Sequence, residues 1–475
     1  MKKLFLFLLP FFVITSCGKG PETVTVNPDN SDLFGGPDSA AVQADTSDDD
    51  FVHIKLGEAA QINSLDPLFA ESNSEWRMIN LIYDRLVRLD ENGEPAPGLA
   101  KRWTVNEDST QYIFHLKTTV SFHNSPVFEG NTGRRFVGSD VKYIFDRMAS
   151  NDVPNFTAQN FKDITGFSIY HSEQSLVKDP NRRVYSSVEG VRTRDDSTVV
   201  FFLNESSGDL LQRLAHPMAS VYPKESVESE GGPIQDAAGT GAFRLLYREG
   251  NAHLLAINQN YDGPKPDINR LDIISGLTER DLFQEFARTN LHGLIEVGPS
   301  TLLTIADTTG NLQDSYYRNY NLEQTDITSE YPLYFNRNSG QAEQLNEVIP
   351  SLDQRSLLIN PALGTINIDS VDTSTVSSSE GTQFVVTQTK HPFCLFLLNN
   401  AAPQATELDY NFSMSASYAP SDEITFTTLP YPGTEEFLNW KTPLYILTRQ
   451  DVSGIQITHH PWNLDLSELK LNGSN

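Results

Sequence analysis

The sequence predicts a mixed α/β fold of more than one domain, and three observations carry that expectation. Stretches that alternate apolar and polar residues are interleaved with stretches whose apolar residues recur at helical spacing. At 475 residues the chain exceeds the size at which a single core usually splits. No period of about 20 to 50 residues repeats, which disfavours a solenoid or propeller.

The elements follow in order. Residues 51–56 (FVHIKL) alternate as a strand and lead to Gly57 and the turn Leu65-Asp66-Pro67. Residues 76–87 place Trp76, Ile79, Leu81, Ile82 and Leu86 at helical spacing, and a strand-turn follows at residues 90–93. Residues 110–120 alternate again. Tyr112, Phe114 and Leu116 share one face, and Ile113, His115 and Lys117 share the other, wetter one. His123 falls beyond Val120 in the next turn or strand, so the pair His115 and His123 reads as framework rather than a metal site. Ser139 opens a helix with Asp140 beside it, and Val141, Ile144, Phe145 and Met148 form its apolar face. Residues 198–203, 241–247, 252–258 and 272–275 read as strands, and residues 279–289 as a helix. Residues 366–382 are Ser/Thr-rich with little apolar pattern and read as a long exposed loop.

Composition narrows the function classes. With 35 basic against 62 acidic residues the formal charge is −27, which argues against nucleic acid or anionic lipid surfaces as partners. The two cysteines, Cys17 and Cys394, have neither zinc spacing nor the company a disulfide would need. Cys394 sits in the apolar run FCLFLL and reads as a small buried hydrophobe.

The N-terminus carries a specific signal. MKK is a short positive region, and residues 4–14 (LFLFLLPFFVI) form an apolar run too short to span a bilayer. The run ends in Ile14-Thr15-Ser16-Cys17-Gly18, which resembles the bacterial lipobox. That resemblance implies cleavage before Cys17 and lipidation of its sulfur, a stable anchor if two or three acyl chains are attached. Residues 18–50 hold eight acidic residues and one lysine among Pro, Gly, Ser and Thr, and read as a disordered acidic tether of roughly 30 Å.

Enzymatic patterns fare poorly. The chain has no G-x-S-x-G, H-E-x-x-H or G-x-x-x-x-G-K-[ST]. Gly239-Thr240-Gly241 lacks the third glycine of a dinucleotide fingerprint and precedes a strand, so a turn explains it. His459 and His460 are adjacent, and neighbours on a strand point to opposite faces, which disfavours one shared metal ion. The expectation is therefore no catalytic residues, no metal and no cofactor.

An ordered set of short motifs then carries a family likeness. Leu65-Asp66-Pro67, Tyr83-Asp84-Arg85-Leu86, Pro97-Gly98-Leu99-Ala100 with Trp103, and Phe122-His123-Asn124 come first. Ser139-Asp140-Val141 with Phe145 and Arg147, Gly190-Val191, and Asp196-x-Thr198-Val199 follow. Gly239-Thr240-Gly241-Ala242-Phe243, Asn258-x-Asn260-Tyr261 and Gly293-x-Ile295-Glu296-Val297 complete the set. Together they resemble the family 5 extracellular solute-binding proteins, the oligopeptide-, dipeptide- and nickel-binding lipoproteins of ABC importers. The likeness covers roughly residues 55–340 and returns weakly in residues 454–471.

The resemblance implies a two-lobed, type II periplasmic-binding-protein-like α/β fold with an extra domain inserted in lobe one. On this sequence it places the signal peptide and acylated Cys17 in residues 1–17 and the tether in 18–50. Lobe one takes 51–82, 206–328 and 452–475, the inserted domain 83–205, and a reduced lobe two 329–451. It implies capture of a small ligand, a short peptide foremost, in the interlobe cleft and delivery to ABC permease subunits. Glu71, Ser72 and Asn73 correspond to a cleft-edge loop; Tyr331, Tyr334 and Asn336 lie at the crossing into lobe two. The implied protein is a monomer of the bacterial cell envelope. It is anchored through the lipid on Cys17, with its body in the periplasm or on the extracytoplasmic face, and it does not bind nucleic acid.

Lobe two is where the likeness thins. After Asn336 only a faint arginine-containing helix at residues 351–358 matches, and the segment that anchors a peptide's amino group in the family has no counterpart. The alternative is a degenerate member that acts as a structural or interaction lipoprotein without transport-type ligand binding.

Overall fold

The computed structural model describes residues 51–154, 158–228, 233–335, 359–360, 362–370, 410–412 and 436–472. Apart from Phe51, all of them belong to one compact unit running from Val52 to Asn475. Cys17, the tether, Asn336, residues 351–358, Cys394 and the part of the Ser/Thr-rich stretch beyond Ser370 lie outside the described residues.

The chain opens with strand β1 (His53–Glu58), helix α1 (Asn73–Ile82) and the short strands β2 (Val87–Leu89) and β3 (Pro95–Pro97). Strands β4 (Ala100–Val105) and β5 (Gln111–Leu116) follow, then helices α2 (Gly138–Met148) and α3 (Phe167–Leu176) and strands β6 (Val191–Asp195) and β7 (Thr198–Phe202). Next come α4 (Leu210–Ala215), α5 (Glu225–Glu228), β8 (Phe243–Glu249), β9 (Ala252–Ile257) and β10 (Arg270–Ile274). Helix α6 (Glu279–Ala287), β11 (Gly293–Ile295) and α7 (Pro299–Ile305) lead to a long strand, β12 (Tyr320–Phe335). Strands β13 (Ile359–Asn360), β14 (Gly364–Ser370), β15 (Tyr410–Phe412) and β16 (Glu436–Arg449) complete the sheet. The tail closes with short strand pairs, Val452–Ser453 against Lys470–Leu471 and Gln456–Ile457 against Leu464–Asp465.

The main sheet is mixed. It runs β13-β14-β16-β11-β1-β10-β9-β8, with β12 paired to β16 and β15. Strand β1 is parallel to both β10 and β11, and the other pairings are antiparallel. Ile54 and Leu56 are fully buried, as parallel strands covered on their faces require. Residues 100–202 hold a separate four-stranded antiparallel sheet, β4-β5-β7-β6. There Tyr112, Phe114 and Leu116 turn inward, and His115 is half-buried on the opposite face, as the alternation implies. Phe201 joins the layers, meeting Phe114 and the α2 residue Phe145 edge-on at 5.5 and 4.9 Å.

Strands β12 and β16 run antiparallel from Tyr320↔Arg449 to Tyr334↔Phe437. The ladder slips between Gln324 and Thr328, and Thr328 faces Pro443, which has no N–H to donate. On one side of this irregularity β16 also pairs with β11, and on the other with β14.

Three local expectations shift. The helix placed at residues 76–87 is α1, which starts three residues earlier and ends at Ile82. Tyr83 turns extended and sends Leu86 toward β2. Helix α2 begins before Ser139, and Asp140, rather than the serine, accepts the Val137 N–H. The start of the Ser/Thr-rich stretch is strand, because residues 365–370 pair with β16, a neighbour remote in sequence that local composition does not reveal.

Candidate functional site

In an open α/β sheet, ligands gather beyond the carboxyl ends of the parallel strands. Here those ends deliver two carboxylates, Glu58 closing β1 and Glu296 just after β11. Glu296 holds φ at 60°, a left-handed conformation that a side chain of this kind adopts only where its surroundings enforce it.

Arg77 of α1 supplies that enforcement. Its guanidinium donates to both Glu58 oxygens, at 2.7 and 2.8 Å, and to Glu296 Oε2 at 2.5 Å. A third nitrogen donates to the Pro461 carbonyl at 2.7 Å, and Ser74 Oγ donates to Glu58 at 2.8 Å. All three charged side chains are essentially inaccessible to solvent. Burial pushes the Glu58 carboxyl up from its ordinary value, opposed by the adjoining Arg77 charge. Beside this cluster a hollow of about 10 Å³, lined by Ala59, Glu279, Glu296 and Gly298 among others, is water-sized.

The Glu71–Asn73 loop lies at the start of α1, about one helical turn before the same arginine. Glu75 organises it by accepting the backbone N–H groups of Asn63, Ser64, Glu71 and Ser72, all within 2.8–3.0 Å. Ser72 Oγ accepts the Glu75 N–H at 3.2 Å, completing a capping box. The Ser72 hydroxyl is thus committed to the helix end. Glu71 and Asn73 are not. The Glu71 carboxylate makes no hydrogen bond or ion pair among the described residues, and burial together with the Glu75 charge raises it from its ordinary value. Asn73 is 4% exposed, and its Oδ1 likewise finds no donor among the described residues. The helix start therefore offers two unfilled acceptors, suited to a ligand's ammonium or amide N–H.

Tyr331 and Tyr334 lie on β12 beyond its irregularity, where their backbones pair with Trp440 and Phe437, and Tyr334 also with Asn411 of β15. Sequence reading did not single out Glu58, Arg77 and Glu296 as a unit. The available signal was a charged residue at the end of each of two apolar strands, but nothing in spacing joins them to Arg77.

Other motif residues prove to be framework. Thr240 and Tyr261 donate to the Asp84 carboxylate at 3.1 and 3.4 Å, beside a polar hollow of about 190 Å³. A Cβ at Gly239 would stand 1.9 Å from the Ile82 carbonyl oxygen, so that turn needs glycine for close backbone approach, not for a phosphate. His123 is buried with Nε2 2.9 Å from the Gly241 carbonyl. His459 bonds the Glu91 carbonyl, while His460 is buried and stacks on Trp462, so the adjacent pair diverges. Among the described residues no group of three or more His, Cys, Asp or Glu is placed to hold a metal ion.

Comparison with known proteins adds identity to this geometry. The family model described as "Bacterial extracellular solute-binding proteins, family 5 Middle" matches residues 94–350, just over half of the chain. A di/tripeptide-binding protein of Pseudomonas aeruginosa is 30% identical over 198 residues, 40% of this chain and 34% of the relative. A dipeptide-binding protein of Escherichia coli is 29% identical over the same length and shares. The match thus spans about a third of these relatives' own length. Among solved structures, a periplasmic oligopeptide-binding protein from Borrelia burgdorferi superposes with a TM-score of 0.52 at 16% identity, covering 64% of this chain and 58% of its own. A Campylobacter jejuni protein in complex with Ni(L-His) gives 0.50 at 19% identity, covering 67% and 57%. These likenesses show the fold, a two-lobed binding-protein architecture.

Proposed function

The chain belongs to the bacterial extracellular solute-binding proteins of family 5, and from that premise we propose that it captures a short peptide in an interlobe cleft for delivery to an ABC importer. In this reading Cys17 carries the lipid anchor, residues 18–50 tether the body outside the cytoplasm, and the permease subunits are its partners. The family is one of transport binding proteins, and no catalytic role is assigned to any residue.

The observation that carries the reading is the acceptor-rich start of α1. The partly exposed Glu71 carboxylate has no partner among the described residues, and the buried Asn73 Oδ1 beside it likewise finds no donor there. A positively charged or N–H-bearing ligand group complements that surface; a carboxylate would be repelled. Tyr331, Tyr334 and Asn336 are proposed as contacts from the crossing into lobe two, and Ser72 as the residue that shapes the loop.

Thermal-shift and native mass spectrometry screens of the chain against peptide pools test the proposal, because a ligand bound only by the folded state raises the melting temperature. A shift with peptides that is lost on acetylating their amino termini is the expected result. The absence of a shift with any peptide, metal chelate or sugar favours the second reading, a structural or interaction lipoprotein. The specific observation behind that alternative is the missing amino-group anchor after Asn336.

A further inference from the structure

We propose that the polar hollow beside Asp84 is a second ligand site, one that takes a single neutral sugar or polyol ring. It shares no lining residue with the Glu71–Asn73 loop, so the inference does not depend on peptide capture. Three stretches of chain converge on it. Arg88 lies on β2, Lys117 and Ser121 follow β5, and Asn260 and Tyr261 follow β9.

The walls are held in place by the protein's own hydrogen bonds. The Lys117 N–H donates to the Leu99 carbonyl at 2.8 Å, and the Asn258 N–H to the Ala242 carbonyl at 2.7 Å. The Asn258 side chain is spent on the same loop, donating to the Gly241 carbonyl at 3.0 Å and accepting the Asn260 N–H at 3.1 Å. A Cβ at Gly263 would stand 2.5 Å from the Tyr261 ring, so the ring keeps its place in the wall because residue 263 is glycine. A site fixed in this way spends little ordering entropy on binding.

The lining selects the ligand by charge and by size. Its charged residues are two acids, Asp84 and Asp262, and two bases, Arg88 and Lys117, so the hollow has no net charge to offer an ion. Lys117 is paired with Asp262 at 2.9 Å, and Asp84 already accepts from Thr240 and Tyr261. The Arg88 guanidinium, the Asn260 amide and the Ser121 hydroxyl are different. All three residues are exposed, and their side chains make no hydrogen bond or ion pair among the described residues. A guanidinium presents parallel N–H groups and an amide presents a donor beside an acceptor, the pattern that neighbouring hydroxyls complement. The volume of about 190 Å³ equals the liquid share of about six waters. That is below the roughly 300–1,000 Å³ of pockets for drug-sized ligands, which suits one ring rather than a peptide.

Isothermal titration of the chain with glucose, N-acetylglucosamine and inositol tests the proposal, with hydrogen exchange to locate the site. At least one of these compounds is expected to bind in the millimolar range, as suits a small polar ligand, and to slow exchange in residues 84–99 and 258–264. Arg88→Ala should weaken that binding about tenfold or more, and Asn260→Ala about fivefold. Melting temperatures of both variants should match the parent, because both side chains are exposed. Peptide affinity should be unchanged in the Arg88→Ala, Asn260→Ala double variant, and sugar affinity unchanged in Glu71→Gln, so the two sites stand or fall separately. No binding of any of the three compounds, binding indifferent to both substitutions, or protection confined to other residues overturns the proposal. Tighter binding of glucuronate than of glucose overturns the assignment of a neutral ligand.

Discussion

Arg147 grips Asp66 through both carboxylate oxygens, at 3.0 and 2.6 Å, and the aspartate is fully buried. Asp66 also accepts the N–H groups of Leu68 and Ile234, and Arg147 donates to the Tyr222 hydroxyl at 2.8 Å. Two motifs far apart in sequence, the LDP turn and the end of α2, thus meet in one buried ion pair that ties the loop after the first strand to that helix. Removing one partner strands a charge, so Arg147→Met should cost about 3–5 kcal/mol in urea unfolding. An Asp66→Asn, Arg147→Met double variant should recover part of that loss, and strict additivity of the two changes would refute the coupling.

The same reasoning applies to Arg77. Arg77→Met removes the cation that bonds both Glu58 oxygens, and at neutral pH the destabilisation should be about 3–5 kcal/mol. Because burial already raises Glu58, the variant should regain stability on mild acidification, as the carboxyls bind protons more readily in the folded state. Equal destabilisation at pH 7 and pH 5 would contradict this account.

His123 should give the opposite sign. Its folded-state pKa is lowered to about 4, chiefly by burial, so between the ordinary value of 6.5 and about 4 the unfolded chain binds more protons. Stability attributable to it is present above pH 6.5 and lost as pH falls toward 4, amounting to about 2 kcal/mol at pH 5. Unfolding at pH 7 and pH 5 should differ less in His123→Leu than in the parent chain. An unchanged difference would place the acid sensitivity elsewhere.

The α1 start separates structure from binding. Ser72→Ala should cost about 1 kcal/mol of stability through the lost cap, with little effect on ligand affinity. Glu71→Gln and Asn73→Ala should leave stability near the parent value and weaken peptide binding by calorimetry, Glu71→Gln about tenfold or more if it faces an ammonium. Wild-type affinity in both variants would remove this loop from the site.

Much of the strand and helix framework was legible in sequence because it rests on local periodicity. The alternation in residues 110–120 placed Phe114 inward and His115 outward, and the reading at 252–258 matches β9 closely. Element ends were less legible. Tyr83 stops α1 although Leu86 continues the apolar spacing, since the turn is set by Gly239 and Gly241 packing on the helix end. Among the candidate residues, Glu71, Ser72 and Asn73 were named together, yet only geometry divides them into a committed cap and two acceptors without a donor among the described residues.

The sequence by itself determined the family, the α/β alternation and the order of elements, because these follow from hydrophobic period and short motifs along the chain. Tertiary structure alone decided which charges meet. Glu58, Arg77 and Glu296 span more than two hundred residues and come together only when β1, α1 and β11 pack. Burial then raises the Glu58 carboxyl above its ordinary value, against the pull of the adjoining Arg77 charge. No linear pattern encodes that proximity, because it is set in space rather than in spacing.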